Sequence, residues 1–234
     1  MRVLGVLFTT DLALEKHATS VSAKCFYQLR QLRRVRRSLD HDSATILVHA
    51  FVTSRIDYGN SLFANAPKMW TEKLQRVMNA AARVISGTQK FDRGMTRFVC
   101  DDLHWLDVPQ RITFKLCLLV FKCLHGLAPQ YLAELCVPVA DVIGRRSLRS
   151  ATRGLLNFPR FNMRNYGRRA FSYAGPHWNS LPEHLRQTTS IDLFKRSLKT
   201  GRCRVQRIRD ILFNGLYKFT YLLTYFVQLL TSSH

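Results

Sequence analysis

The sequence predicts a mainly α-helical fold with a short strand region at its N-terminus. Apolar residues recur at helical spacing in three long segments, at 20–39, 73–86 and 111–125. The chain has 234 residues, of which 47% are hydrophobic, so it is long enough to bury a substantial core in one or two domains. The pattern also allows one small hairpin near 155–163.

The segment 43–86 lies at the centre of the predicted fold. Its second half has the pattern of an amphipathic helix, while residues 46–52 in its first half are apolar almost all round. We therefore predict two helices, the first of them buried, with Asp40 or Asp42 as its N-cap. The apolar face of the second helix consists of Leu74, Val77, Met78, Ala81, Val84 and Ile85.

The helix predicted at 20–39 is strongly basic on one side. Its apolar face carries Val21, Cys25, Leu29 and Leu32. Five arginines within eight residues exceed what a helix C-terminus attracts through its dipole, so we favour phosphate contacts over a solvated helix end. These candidate nucleic-acid-binding residues are Arg30, Arg33, Arg34, Arg36 and Arg37.

Turn and capping residues divide the rest of the chain. An apolar run with a glycine inside the first 14 residues predicts a strand and a turn. Asp107 is predicted to cap a helix that Gly126 ends, and Pro129 to begin a short helix. Ser190 is predicted to cap a final helix. The apolar stripe of the helix after Asp107 is Ile112, Leu116, Leu119, Val120 and Cys123.

The net charge is the most unusual property of the chain. Lys and Arg together number 36 against 15 Asp and Glu, which gives a formal net charge of +21. Such a surplus repels itself unless a polyanion neutralises it. Nucleic acid is the first candidate partner, and an anionic membrane surface is the second.

A second basic region extends from Val142 to Leu181 and contains neither Asp nor Glu. Arginines can attract phosphates there and aromatic rings can stack on unpaired bases. The alternative is a loop followed by a helix whose aromatics pack inward. The interleaved aromatics are Phe158, Phe161, Tyr166, Phe171, Tyr173 and Trp178. The candidate nucleic-acid-binding residues are Arg145, Arg146, Arg149, Arg153, Arg160, Arg164, Arg168 and Arg169.

The C-terminal segment 201–234 combines a basic flank with a long apolar run. The run 211–230 is about long enough to span a bilayer, but its polar residues share one side of a helical wheel. A docked helix, an interfacial helix and a tail anchor are therefore all open, in that order of preference. The candidate membrane or docking residues are Arg202, Arg204, Arg207, Arg209 and Lys218.

The six cysteines form no C-x-x-C pair, and neither a disulfide framework nor an N-terminal signal peptide is recognisable. The nucleus or cytoplasm is therefore favoured, with membrane association as the alternative. Most residues of the one candidate zinc set lie in an apolar helical run, where Cys is usually a small buried hydrophobe, so burial is favoured over metal binding. We expect no metal, cofactor or small-molecule substrate. The zinc alternative would use Cys117, Cys123, His125 and Cys136.

Five short motifs follow one another along the chain: L-G-V at 4–6, S-R-I-D-Y-G-N-S-L at 54–62, L-H-W-L at 103–106, L-H-G-L-A-P at 124–129 and W-N-S-L-P at 178–182. This ordered series resembles the C-terminal part of LINE-type (non-LTR) retrotransposon reverse transcriptases, downstream of their palm. The resemblance extends to about Thr200.

The resemblance implies a helical, thumb-like bundle from a parent that copies RNA into DNA. It divides the chain into a residual strand region at the end of the palm (1–14), the thumb-like domain (15–136), a basic post-thumb segment (137–200) and a basic-hydrophobic C-terminal helix outside the resemblance (201–234). It also places Trp178 in the core. His125 is interpreted as a capping or packing residue rather than a base, because no nucleophile is placed beside it.

The expected function is binding without catalysis. Asp101-Asp102 lies after the L-G-V motif rather than before it, so it does not match the metal-binding aspartates of a polymerase. We therefore expect no enzyme activity, but sequence-independent binding of RNA or primer–template. The alternatives are a membrane-associated protein that uses its C-terminal helix, and a retroelement relic without a selected function.

Overall fold

The described part of the chain consists of helices around two apolar clusters, with one short hairpin at the N-terminus. A computed structural model describes residues 1–88, 99, 102–142, 153–158 and 169–200. The main elements are β1 (Arg2–Val3), β2 (Val6–Leu7), α1 (Glu15–Val35), α2 (His41–Val48), a π-helical turn (His49–Thr53), α3 (Ser54–Asp57), α4 (Lys68–Ser86), α5 (Val108–Leu124), α6 (Gln130–Ala133), α7 (Gly175–Asn179), α8 (Glu183–Arg186) and α9 (Ile191–Thr200). Short 3-10 helices occupy 36–38, 60–63, 139–141 and 171–173. The mainly helical prediction is confirmed.

The N-terminal apolar run forms a tight antiparallel hairpin rather than one strand. Leu4 and Gly5 connect β1 to β2, and their φ angles are 45° and 83°. Two successive positive φ angles are typical of a type I′ hairpin turn. The L-G-V motif therefore begins in a turn, which corrects the prediction of a strand there. The Tyr58 hydroxyl donates to the Leu4 carbonyl at 2.6 Å and attaches the hairpin to the end of α3.

Helix α1 is longer than predicted at its start. It begins at Glu15, five residues before Ser20, and ends at Val35. Cys25, Leu29 and Leu32 are buried on its predicted apolar face. This face contacts α4 and the chain between α2 and α3.

The helix at 41–57 is capped as predicted but is not buried all round. The Asp40 carboxylate accepts from the backbone N–H groups of Asp42 and Ser43. Ile46 is 66% exposed, and Phe51 is also exposed. The prediction of a fully buried helix is therefore wrong, because neighbouring helices cover one side only. The buried side consists of Ala44, Val48, Val52 and Ile56.

Helix α4 confirms its predicted apolar face completely. All six residues predicted to face the core are buried in the first apolar cluster. Gly87 ends the helix with a φ of 72°, a backbone conformation that glycine adopts at little cost. Its N–H donates to the carbonyl of Arg83 at 3.0 Å.

Helix α5 is shared by both apolar clusters. The predicted Asp107 cap is present as a capping box with Gln110. Ile112 and Leu116 pack in the first cluster, whereas Val120 and residues further along pack in the second. Leu119 is only half-buried, which corrects the predicted stripe, because Cys117 and Phe121 are turned inward instead.

The second cluster is built by α5 and the helices near the C-terminal end of the described chain. Trp178 is fully buried beside Phe194, which confirms its prediction as a core residue. Its indole Nε1 donates to the Gly154 carbonyl at 2.8 Å, and the Asn179 side chain makes two hydrogen bonds to the backbone of Leu156. The W-N-S-L-P motif thus fixes the segment 153–158. The cluster draws on residues 117–198, so the predicted domain boundary at 136/137 lies within it.

The predicted hairpin near 155–163 is only partly within the described residues. Residues 155–157 pair with 137–139 through two backbone hydrogen bonds of 2.9 and 2.8 Å. The remainder of the range, 159–163, lies outside the described residues.

A buried ion pair ties the S-R-I-D-Y-G-N-S-L motif to α5. Arg111 Nη1 donates to Asp57 Oδ2 at 2.7 Å, and its Nε donates to the Leu106 carbonyl at 2.8 Å. The guanidinium also lies 5.8 Å from the centre of the Trp105 ring. His49 contacts the same ring edge-on. The motif therefore has a structural role in the first cluster.

The surroundings of His49, which include Trp105 and Arg111, lead us to predict that stability depends on pH. Burial, together with the charge of Arg111, lowers the pKa of His49 from 6.5 to about 4. The unfolded chain binds a proton at this residue below pH 6.5, while the folded protein does not bind it until about pH 4. Between pH 7 and 5 the free energy of unfolding should therefore fall by roughly 1–2 kcal/mol more in the natural protein than in a His49→Phe variant. Urea unfolding at both pH values measures this, and equal losses in the two proteins would contradict it.

Candidate nucleic-acid interface

Helices α1 and α4 lie side by side and run in the same direction. Near their starts, Lys73 Nζ is 3.5 Å from Glu15 Oε1. At their ends, the Arg36 guanidinium donates to the carbonyls of Val84 and Ile85, both at 2.8 Å. The C-terminal halves of the two helices therefore border one surface of the molecule.

An open cleft of about 900 Å³ lies along this surface. We call it the arginine cleft, because five arginines from the two helices and the turn after α1 line it, together with Phe26 and Asn79. Among the described residues that line it, none is Asp or Glu. The arginines are Arg33, Arg36, Arg37, Arg76 and Arg83.

Helical spacing explains why these side chains meet. Phe26, Arg33 and Arg37 are separated by seven and four residues, so they share one face of α1 and its extension. Arg76 and Arg83 are seven residues apart and share one face of α4. Two parallel helices bring these basic faces to the same cleft.

Arg36 supports the cleft from within. Besides its bonds to Val84 and Ile85, it donates from Nη1 to the Leu39 carbonyl at 2.7 Å. Carbonyls in the last turn of a helix have no partner inside the helix, and this guanidinium supplies one for α4. Arg36 therefore holds the end of α1 against the end of α4, and its bonds leave fewer donors for a ligand than the other arginines have.

The other four arginines of the cleft have unused hydrogen-bonding capacity. Among the residues that the structure describes, Arg33, Arg37, Arg76 and Arg83 form no side-chain hydrogen bond and no ion pair. The Nε atom of Arg83 is buried and has no partner there. Unpaired guanidinium groups around one cleft suit an anion with several oxygens.

The remaining predicted arginines of α1 lie beside the cleft or away from it. Arg30 lines a neighbouring hollow of about 310 Å³ together with Phe26, Leu29 and Arg33. Arg34 is exposed but lines neither the cleft nor the hollow. The cleft thus brings together three of the five arginines predicted here, with Arg30 next to them.

The second basic region is only partly described. Arg153 is exposed and Arg169 is half-buried, and neither lines the arginine cleft. The described aromatics of this region pack inward: Phe158 contacts Tyr173 edge-on, and Phe171 packs against both clusters. The predicted residues outside the described part are Arg145, Arg146, Arg149, Arg160, Arg164, Arg168, Arg202, Arg204, Arg207, Arg209 and Lys218.

Arg76 and Arg83 are site residues that the sequence did not single out. Both lie on the side of the amphipathic helix α4 that is opposite its predicted apolar face, where charged residues are ordinary. Their spacing of seven residues, with no acid between them, was the available signal. The pairing with α1 could not be read from that spacing.

The residues of the zinc alternative have separate contacts. The thiols of Cys123 and Cys136 hydrogen bond to each other, and burial raises the pKa of Cys136 to about 12. Cys117 Sγ lies 3.7 Å from the His177 carbonyl oxygen. His125 stacks on Phe121, and its Nδ1 is 2.8 Å from the carbonyl oxygen of that residue, which confirms a packing role. Among the residues described, no group of three or more His, Cys, Asp or Glu is placed to hold a metal ion.

The membrane alternative rests on the C-terminal segment. In the part of the chain with described coordinates, no helix is both long and apolar enough to cross a bilayer. Residues 201–234 lie outside that part, so the docking and membrane predictions remain predictions.

Comparisons with protein-family models, with curated proteins and with solved structures give no match for this chain.

Proposed function

We propose that the chain binds nucleic acid through the phosphate backbone, with the arginine cleft as the contact surface. The observation that carries the proposal is the convergence of five arginines on one open cleft between α1 and α4, with no carboxylate among the described residues that line it. Their unused donors can neutralise phosphates without reading bases, so binding is expected to be independent of sequence.

The size of the basic surface favours a polyanion over a single small anion. Residues seven positions apart on a helix are separated by about 10 Å along its axis, as Arg76 and Arg83 are. Side chains that extend in parallel from these positions keep their guanidinium groups about as far apart, so they can contact different phosphates of one strand. The net charge of +21 supports a polyanionic partner as well.

The five sequence motifs suggest which kind of protein would use such binding. We propose that the chain corresponds to the thumb and post-thumb region of a LINE-type reverse transcriptase and grips element RNA or primer–template. The described residues that line the cleft supply guanidinium groups suited to phosphates, and binding is the role that we propose for them.

Removing the four unpaired arginines of the cleft tests the proposal. Arg33, Arg37, Arg76 and Arg83 are replaced together by Gln, while Arg36 is retained because it supports the fold. We expect affinity for a 20-nucleotide RNA to fall about 100-fold or more at low salt, and the slope of log K against log salt to flatten by about three. Fluorescence anisotropy across a salt series measures both quantities.

A matched control removes the same amount of charge elsewhere. Arg2, Lys16, Arg55 and Lys115 are all exposed and lie outside the cleft. Replacing them by Gln should change the slope by less than one third of the change in the cleft variant. If the cleft variant, shown to be folded by circular dichroism, binds RNA like the control variant, the cleft is not the contact surface.

A further inference from the structure

We infer that the arginine cleft takes a single strand and that Phe26 stacks on one of its unpaired bases. This inference rests on the proposed function and specifies its ligand. Phe26 is the one aromatic residue among the residues described as lining the cleft, and it is 39% exposed there. Aromatic rings that face a basic groove are the usual stacking partners of unpaired bases.

The position of Phe26 is suited to such a contact. It lies at the boundary between the arginine cleft and the neighbouring hollow, since it lines both. Arg33 also lines both spaces, and Arg30 lines the hollow. A base on the ring would therefore have guanidinium groups on either side to receive its flanking phosphates.

The spacing along α1 indicates a strand rather than a mononucleotide. Phe26 and Arg37 are eleven residues apart, which corresponds to roughly 16 Å along a helix axis. Stacked nucleotides in a strand advance by about 3.4 Å each, so this distance covers roughly five of them. A ligand that extends over this whole distance is an oligonucleotide.

A duplex fits this arrangement less well than a single strand. Packed helices are separated by about 8–10 Å, so a cleft between two of them has room for one strand but not for a duplex, whose major groove alone is roughly 12 Å wide. A duplex could touch the rim of the cleft with its phosphates, but its paired bases would remain inside the helix, away from the Phe26 ring. The difference between the two ligands is therefore expected to depend on this side chain.

The test compares three ligands of equal length on the full chain, each measured with the natural protein and with the variants: a single-stranded oligonucleotide, a blunt duplex and a strand of abasic sites. Phe26→Leu should weaken binding of the single strand by roughly 5- to 150-fold, the range that stacking of one base supplies. It should leave binding of the abasic strand and of the duplex unchanged, because these ligands offer no unpaired base. Phe26→Trp should bind the single strand at least as tightly as the natural protein.

Tyr27 provides the matched control. It is the next residue on α1 and is 54% exposed, but it does not line the cleft. Tyr27→Leu should therefore bind all three ligands like the natural protein. If Phe26→Leu and Tyr27→Leu bind the single strand equally, or if Phe26→Leu weakens all three ligands alike, the stacking role is wrong.

The outcomes separate this inference from the proposed function. Loss of binding in the cleft-arginine variant, with no effect of Phe26→Leu, would overturn stacking and leave phosphate binding in place. An unchanged salt slope in the cleft-arginine variant would overturn both.

Discussion

Met78→Asp should leave the protein largely unfolded at room temperature. Met78 is 2% exposed in α4 and lies within the first apolar cluster. A carboxylate at this position would lose its hydration without gaining a cationic partner, at a cost of several kcal/mol on an order-of-magnitude scale. Domains of this size are stable by about 5–15 kcal/mol, so one such change removes much of the total. Circular dichroism and thermal unfolding measure the effect.

Ile46→Asp is the matched control for this substitution. It places the same charge on a neighbouring helix, but Ile46 is exposed. The melting temperature of this variant should stay within a few degrees of the natural value, since surface substitutions usually change stability by less than about 0.5 kcal/mol. If Met78→Asp melted like Ile46→Asp, the orientation of α4 in the structure would be wrong.

Asp57→Ala should destabilise the fold by about 3–5 kcal/mol. The loss arises because the Arg111 guanidinium, which is 7% exposed, would keep its charge without the carboxylate that neutralises it. One of its nitrogens, Nη2, already has no hydrogen-bond partner in the described part of the chain. Urea unfolding at pH 7 gives the free energy directly.

The double variant Asp57→Leu, Arg111→Met distinguishes the ion pair from general packing. Apolar residues of similar volume often replace a buried ion pair with little loss of stability. The double variant should therefore recover at least half of the stability that Asp57→Ala loses. If the free energy of unfolding of Asp57→Ala lay within about 0.5 kcal/mol of that of the natural protein, the ion pair would contribute little to stability.

Local sequence patterns predict the helices of this chain better than their orientations. Helix α4 has a strong apolar face, and all six of its predicted residues are buried. The helix at 41–57 has apolar residues on every side, so its pattern cannot show which side a neighbour covers, and Ile46 proves to be exposed. The prediction that Leu119 faces the core is wrong for a similar reason. Two apolar clusters contact different sides of α5, and a single stripe cannot describe both contacts.

The candidate site, too, could be predicted from the sequence only in part. The density of arginines at the end of α1 is visible in the sequence, and Arg33, Arg36 and Arg37 do line the cleft. The contribution of α4 depends on contacts between residues about fifty positions apart, which no local pattern contains. The bonding of Arg36 to the end of α4 is likewise a tertiary property, and it separates this residue from neighbours of the same type.

The sharing of α5 by both apolar clusters has a consequence for how the chain comes apart. A helix that contributes Leu116 to one core and Val120 to the other cannot melt as a whole without uncovering apolar surface in both. The two apolar clusters are therefore coupled through α5, and unfolding of the part around one cluster makes unfolding of the part around the other easier. Cooperative unfolding in a single step follows from this continuity, although the chain buries its apolar side chains in two places.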